Sequence, residues 1–262
     1  MRSATSSPES LLKKGLKELS LPHSEEQVRT FMVYLSELKK WNRAYNLTAL
    51  KTDEDIVIKH FLDSLLYLKA IPPGEVSLVD VGSGAGFPGI PIKIIRPEIA
   101  MYLVEPSRKK AGFLRHITRV LGLQGIEVVE KRIEEIKSLM VDVAVTRALF
   151  DVKDFCRKAT PLLKERGWLI VSKGPKVNEE LKVLKKMDYE LLTVTLPLST
   201  IKRFIVVITK GGQEARTAEE LHSATLNSTR SKSAGVCMNA ECRLRKAGCK
   251  GFEGCPGFKA SA

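Results

Sequence analysis

The chain has 262 residues, 44% of them hydrophobic and 28% charged, the proportions of a folded globular protein rather than a disordered one. Lys and Arg number 43 against 30 Asp and Glu, and the formal charge of +13 points to polyanionic partners, nucleic acid before an anionic membrane face. No apolar run reaches membrane-spanning length and Met1 to Ser10 is polar, so no membrane association is expected, and the 5 cysteines are expected to stay reduced in a cytoplasmic protein.

Residues 1–23 read as a tail followed by a short helix, in which Leu11, Leu12, Leu16 and Leu19 form the apolar side and Gly15 interrupts the pattern. Residues 24–73 read as a helical cap. Ser24-Glu25-Glu26-Gln27 is a capping-box signature, and Val28, Phe31, Met32, Leu35 and Leu38 recur at helical spacing up to Trp41. Trp41 to Thr48 is too rich in asparagine to extend that helix comfortably. A third helix from about Asp53 carries Ile56, Val57, Phe61, Leu65 and Leu68, with His60 and Asp63 on it, before Pro72-Pro73-Gly74 breaks the pattern.

Residues 74–212 alternate. Apolar runs at 76–81, 100–104, 126–129, 141–145 and 168–172 are separated by helical patterns at about 87–95, 107–121, 133–139 and 150–164, the rhythm of a parallel α/β sheet with crossover helices. Val177 to Lys186 reads as one more helix. Glu190 to Leu196 and Phe204 to Thr209 are joined by a short link and are expected to form an antiparallel hairpin at the sheet edge. Residues 213–235 read as a linker and 236–262 as a cysteine-rich tail.

The chemistry-bearing stretch is Leu78-Val79-Asp80-Val81-Gly82-Ser83-Gly84-Ala85-Gly86-Phe87-Pro88-Gly89, a buried strand that ends in an acid, a glycine turn and a helix. A Cβ at Gly82, Gly84 or Gly86 would hinder both the turn and a ligand lying against it. Gly84-x-Gly86-x-x-Gly89 also satisfies the loose dinucleotide pattern, with Glu105 at about the distance expected for a ribose partner. Asp80 at the strand end would repel a pyrophosphate and attract the cationic amino-acid tail of S-adenosylmethionine, which favours the latter ligand.

Beyond the loop, the chain resembles the bacterial small-subunit (16S) ribosomal RNA guanine-N7 methyltransferase family over about residues 24–210. The resemblance rests on Trp41-Asn42-x-x-Tyr45-Asn46-Leu47-Thr48, His60-Phe61-Leu62-Asp63-Ser64, the stretch from Asp80 to Pro91, Arg96-Pro97-Glu98, Arg132-Ile133-Glu134-Glu135, Arg147-Ala148 and Lys173-Gly174. It implies a Rossmann-like methyltransferase sheet with a helical N-terminal cap, S-adenosylmethionine as methyl donor, and a guanine in the 530 loop of 16S rRNA as substrate. It also implies a cofactor site at Asp80, Gly82, Gly84, Gly86, Phe87, Glu105, Ile133, Glu134 and Arg147. The family commonly has Ser where Thr146 stands and Asp where Glu105 stands; both departures keep the chemistry.

Guanine N7 carries a lone pair and no proton, so no catalytic acid or base is expected. The work is positioning, with Asn42, Asn46, His60, Asp63, Arg147, Lys173 and Arg203 as candidates. Trp41 and Tyr45 fit a core role better than base stacking. Basic clusters at Lys13-Lys14, Lys39-Lys40, Arg108-Lys109-Lys110 and Lys185-Lys186 together favour contact with rRNA, free or within a small ribosomal subunit or assembly intermediate. A monomer is expected. Cys237, Cys242, Cys249 and Cys255 make a complete set for zinc or an iron–sulfur cluster in a tail with almost no apolar core, outside the resemblance.

Overall fold

The computed structural model describes residues 7–147, 149–182 and 188–211, with the backbone of residues 235–237 and 258–260. The chain divides into two units, Met1–Thr217 and Ala218–Ala262. The first is an α/β unit built on seven strands: β1 (Ser77–Val81), β2 (Ala100–Val104), β3 (Ile126–Val129), β4 (Val141–Arg147), β5 (Leu163–Lys173), β6 (Tyr189–Thr195) and β7 (Lys202–Thr209). Their order is β3-β2-β1-β4-β5-β7-β6. The first five pair in parallel, whereas β7 runs antiparallel to β5 and to β6. The expected Rossmann-like sheet with an antiparallel edge hairpin is therefore present, and the chain reverses its order beside β1, where such sheets bind ligands.

Strand alternation sends neighbouring residues to opposite faces. Leu78, Val143, Val145, Ile170, Ile205 and Val207 join one core layer, while Val79, Val81, Ala144, Leu169, Val171, Val206 and Ile208 join the other. The first layer takes five helices: α1 (Pro8–Glu18), α2 (Glu25–Tyr45), the run beginning at α3 (Asp53–Ile56), α5 (Gly89–Ile95) and α6 (Arg108–Val120). The second is covered by α7 (Val152–Ala159) and α8 (Val177–Leu181).

Several elements differ from their sequence patterns for local reasons. Gly15 does not interrupt α1; a Cβ there would lie 2.1 Å from Cδ1 of the buried Leu62, so the glycine permits close approach of two helices. Helix α2 keeps its expected capping box, Ser24 with Gln27, but runs past Trp41 to Tyr45. It stops where Asn46 adopts the left-handed conformation, φ 49° and ψ 52°, which asparagine tolerates. The third helix is continuous but uneven: α3, a π-helical turn at Val57–Leu62, α4 (Asp63–Leu65) and a 3-10 turn at Leu66–Lys69. Residues 133–139 shorten to a 3-10 turn at Ile133–Glu135, although Ile133, Ile136 and Leu139 all pack on the second core layer. Residues 150–164 give α7, a 3-10 turn at Thr160–Leu162 and the early start of β5, where positive-φ Arg166 and an irregular register opposite Val141 lengthen the strand. The helix expected over Val177 to Lys186 is described only as far as Lys182.

No described helix is long and apolar enough to cross a membrane. In the second unit β8 (Gly235–Cys237) and β9 (Phe258–Ala260) pair antiparallel. The side chain of Cys237, and Cys242, Cys249 and Cys255 entirely, lie outside the described residues, as do most of the expected linker and tail. Among the described residues no cluster of His, Cys, Asp or Glu is placed to hold a metal ion.

Candidate functional site

The site is the C-terminal end of β1 and the turn that follows it. Gly82, Gly84 and Gly86 all have positive φ, at 75°, 58° and 97°. The N–H groups of Gly82 and Ser83 donate to the Val104 carbonyl at the end of β2, at 2.8 and 3.1 Å, so the turn is anchored across two strands. The three glycines are needed for different reasons. A Cβ on Gly82 would fall 2.1 Å from Leu149 and one on Gly86 2.4 Å from Ile90, whereas the nearest atom to one on Gly84 is 3.9 Å away. Gly84 therefore faces open space, and its dihedral alone demands glycine.

Beneath this turn Asp80 is completely buried. Its Oδ2 accepts from the Gly89 N–H at 2.9 Å, at the start of α5, while its Oδ1 has no hydrogen-bond partner. Burial pushes the Asp80 carboxyl up to about 7, against the pull of the Gly89 N–H. An unpartnered carboxylate oxygen in the interior is costly, and this one suits a group that brings positive charge to the turn. At the end of β2, Glu105 accepts from Gly84 N–H through Oε2 and from Ser107 N–H through Oε1, both at 2.9 Å. It thus holds the far side of the glycine turn, and each oxygen keeps a further lone pair for a ligand hydroxyl.

The cap supplies the opposite wall. Tyr34 of α2 is buried, stacks 5.5 Å from the Phe87 ring and donates its hydroxyl to the Ala85 carbonyl at 2.5 Å. Within the π-helical turn, His60 stacks on Phe87 at 4.4 Å and 17°; such turns commonly re-aim side chains at functional sites. The Arg147 guanidinium, at the end of β4, lies 5.1 Å from the same ring. Arg147 donates to His60 Nδ1 at 2.8 Å. Arginine cannot accept, so Nδ1 carries no proton and Nε2–H donates to Thr48 Oγ1 at 2.6 Å. Burial, reinforced by the neighbouring Arg147 charge, pushes His60 down to about 3 and keeps it neutral.

Asp63, one turn on and buried, takes Arg203 Nε at 2.7 Å and Arg147 at 3.4 Å, so one carboxylate holds two guanidiniums. The antiparallel direction of β7 brings Arg203, near its N-terminal end, to the C-terminal ends of the parallel strands. Tyr67 ties the cap to the sheet itself: its hydroxyl donates to the Thr146 carbonyl at 2.5 Å and accepts from Ser172 N–H at 3.0 Å, bridging β4 and β5.

The structure brings His60, Asp63, Arg147 and Arg203 together beside the glycine turn. His60 and Asp63 do not bond each other; both serve Arg147. Lys173 stands apart from that group, bound to Glu180 at 2.9 Å and the Phe150 carbonyl at 2.5 Å. Asn46 ends α2 and Asn42 Oδ1 accepts from Thr48 N–H at 2.8 Å, so neither joins the arginines. Ile133 is buried, while Glu134 is exposed and pairs with Lys158 at 3.0 Å, which holds its carboxyl below the usual range. Trp41 packs on Phe113 and His116 against the core, as expected, whereas Tyr45, beside it at 5.3 Å, is 45% exposed and does not take the core role expected of it. Sequence reasoning passed over Tyr34 and Tyr67, and met Thr48 only as part of a family motif, without a role. Tyr34 falls on the Phe31, Leu35 and Leu38 stripe and was legible as buried, but nothing local reveals where its hydroxyl goes.

Comparison with known proteins identifies the family. Residues 27–227 match the GidB family model, rRNA small subunit methyltransferase G. The chain is 39% identical over 212 residues to the ribosomal RNA small subunit methyltransferase G of Geobacter sp. strain M21, covering 77% of this chain and 97% of that one. The protein of the same name from Neisseria meningitidis serogroup B is 35% identical over 201 residues, 76% of this chain and 97% of its own. A solved SAM-dependent methyltransferase from Aquifex aeolicus aligns over 67% of this chain and 97% of its own at 18% identity, with a TM-score of 0.46, too loose a likeness to weigh beside the sequence relatives. On the family match and these relatives, the chain belongs to the rRNA small subunit methyltransferase G family.

Proposed function

We propose that this protein methylates N7 of a guanine in the 530 loop of 16S rRNA, in the bacterial cytoplasm, using S-adenosylmethionine. The observation that carries the cofactor reading is the buried Asp80 with one unpartnered oxygen under a turn whose Gly84 faces open space. A sulfonium and ammonium ligand complements that carboxylate, whereas a pyrophosphate would be repelled by it. When bound, S-adenosylmethionine supplies a methyl group whose C–S bond breaks as the N7–C bond forms, the electron pair leaving with sulfur and the guanine becoming cationic.

The residues of this chain then bind and orient. Gly82, Gly84, Gly86 and Phe87 line the donor's amino-acid end, Asp80 faces its charge, Glu105 takes ribose hydroxyls, and Ile133 with Glu134 meets the adenine. Arg147 and Arg203, neutralised in part by Asp63, face the rRNA and steer its phosphates so that N7 lies in line with methyl and sulfur. The guanine and the 530 loop are supported by the family resemblance and by the ease of N7 transfer without a base. A cluster of charge supports the same reading: Arg108, Lys109 and Lys110 occupy the first turn of α6, which contains no acidic residue, and cations there oppose the helix dipole, so an external anion explains their placement better than helix stability does.

Mass spectrometry of 16S rRNA from cells lacking this protein tests the proposal. One 7-methylguanosine in the 530 loop should disappear and return when the gene is restored; an unchanged modification pattern refutes it.

A further inference from the structure

A second concavity lies on the cap, lined in part by Thr48, the partner of His60 Nε2. It encloses about 600 Å³ and is lined by the end of α2 and the segment leading to α3, a volume ordinary for a small-ligand site. Its floor is apolar, from Leu38, Leu50 and Ile56. Two hydrogen-bond donors face no partner among the described residues: the Asn42 amide NH2, whose Oδ1 is committed to Thr48 N–H, and the Thr48 hydroxyl proton, since Oγ1 already accepts from His60 and from Leu50 N–H. At its edge Lys39 is paired with Asp53, while Arg43 and Lys51 are exposed and have no carboxylate partner among the described residues.

An apolar floor, two donors and two unneutralised cations match a nucleobase with its phosphate. The imidazole of His60 is the link between this pocket and the glycine turn. Its Nδ1 meets Arg147, beside the glycine turn, and its Nε2 meets Thr48, which lines the cap pocket. One imidazole thus connects the lining of the cap pocket to the arginine beside the glycine turn. We propose that the cap pocket holds an unstacked nucleotide of the substrate RNA that neighbours the methylated one, its phosphate on Arg43 and Lys51. This rests on the rRNA reading above. It requires a strand opened at two positions, which single-stranded loops provide and a continuous duplex does not.

The test compares the full chain with Arg43→Ala/Lys51→Ala, with Ala49→Trp, which keeps both charges but fills the pocket that Ala49 lines, and with Lys153→Ala, an exposed cation of α7 outside it. Binding of a 530-loop RNA fragment is followed by fluorescence anisotropy across a salt series, and S-adenosylmethionine binding by calorimetry. The double variant should weaken RNA binding about tenfold and flatten the slope of log K against log salt by about one. Ala49→Trp should weaken it about fivefold with the slope unchanged, and neither should alter cofactor affinity. RNA binding equal to that of Lys153→Ala in the double variant, or unaffected by Ala49→Trp, overturns the proposal. Methyl transfer by the unaltered protein, measured in parallel, reports on the enzymatic reading alone, so the two can fail separately.

Discussion

Asp80 holds a proton near neutrality because it is buried with one oxygen unanswered, and that sets two signs. Its folded pKa of about 7 exceeds the ordinary 3.8, so the folded chain keeps a proton that the unfolded chain releases. This group therefore favours folding most at low pH, and its contribution falls as pH rises from about 4 to 7. A cationic ligand reverses the preference by favouring the carboxylate. S-adenosylmethionine binding should release about half a proton from Asp80 at pH 7, rising to nearly one at pH 6, and weaken as pH falls below 7, seen by calorimetry in buffers of different ionisation enthalpy; uptake of a proton would contradict the assignment. His60 has the opposite sense, since its depressed pKa means that acid below about pH 6.5 favours the unfolded chain. His60→Phe would retain the stack on Phe87 but offer Arg147 no acceptor. A hydrogen bond to a charged group is worth about 1.5–3 kcal/mol, so kcat/KM should fall tenfold or more; an unchanged value would show that Asp63 alone positions Arg147.

At the scale of the element, two substitutions separate propensity from packing. Gly15→Ala should gain about 1 kcal/mol of helix propensity, yet its Cβ would meet three atoms of the buried Leu62 within 3 Å, and overpacking of that kind costs about 1–3 kcal/mol. The packing cost should prevail and lower the urea midpoint of unfolding. Tyr67→Phe leaves the Thr146 carbonyl and Ser172 N–H without their shared partner inside the sheet, a loss of about 1–3 kcal/mol by the same measurement. These elements also show what could be read from the residues. The strands β1 to β7 were legible because apolar runs and glycine punctuation are local signals, and the hairpin because its link is short. The π-helical turn was not, since Val57 to Leu62 has an ordinary helical pattern and its register is imposed by what it packs against. The same holds for the end of α2, where one left-handed asparagine, rather than the asparagine content of the segment, stops the helix.

For the whole molecule, the legible part of the site was the glycine turn with Asp80 and Glu105, all within one strand–turn–helix and the next strand. What composition and spacing could not reveal was long-range pairing: Asp63 with Arg203, 140 residues apart, depends on β7 running against its neighbour. Sequence reasoning brought both residues forward as separate positioning candidates, and only the topology makes them a unit. The cap is likewise no appendage. Tyr34 fixes the Ala85 carbonyl, Tyr67 bridges two strands, and His60 and Asp63 orient both arginines, while the cap and one sheet face share a single core. A gene shortened to begin at Ser77 would encode every strand and the whole glycine turn, yet its product should neither fold cooperatively nor retain methyl-donor affinity. Attempts to graft this catalytic half onto another RNA-targeting module must carry the first 76 residues with it.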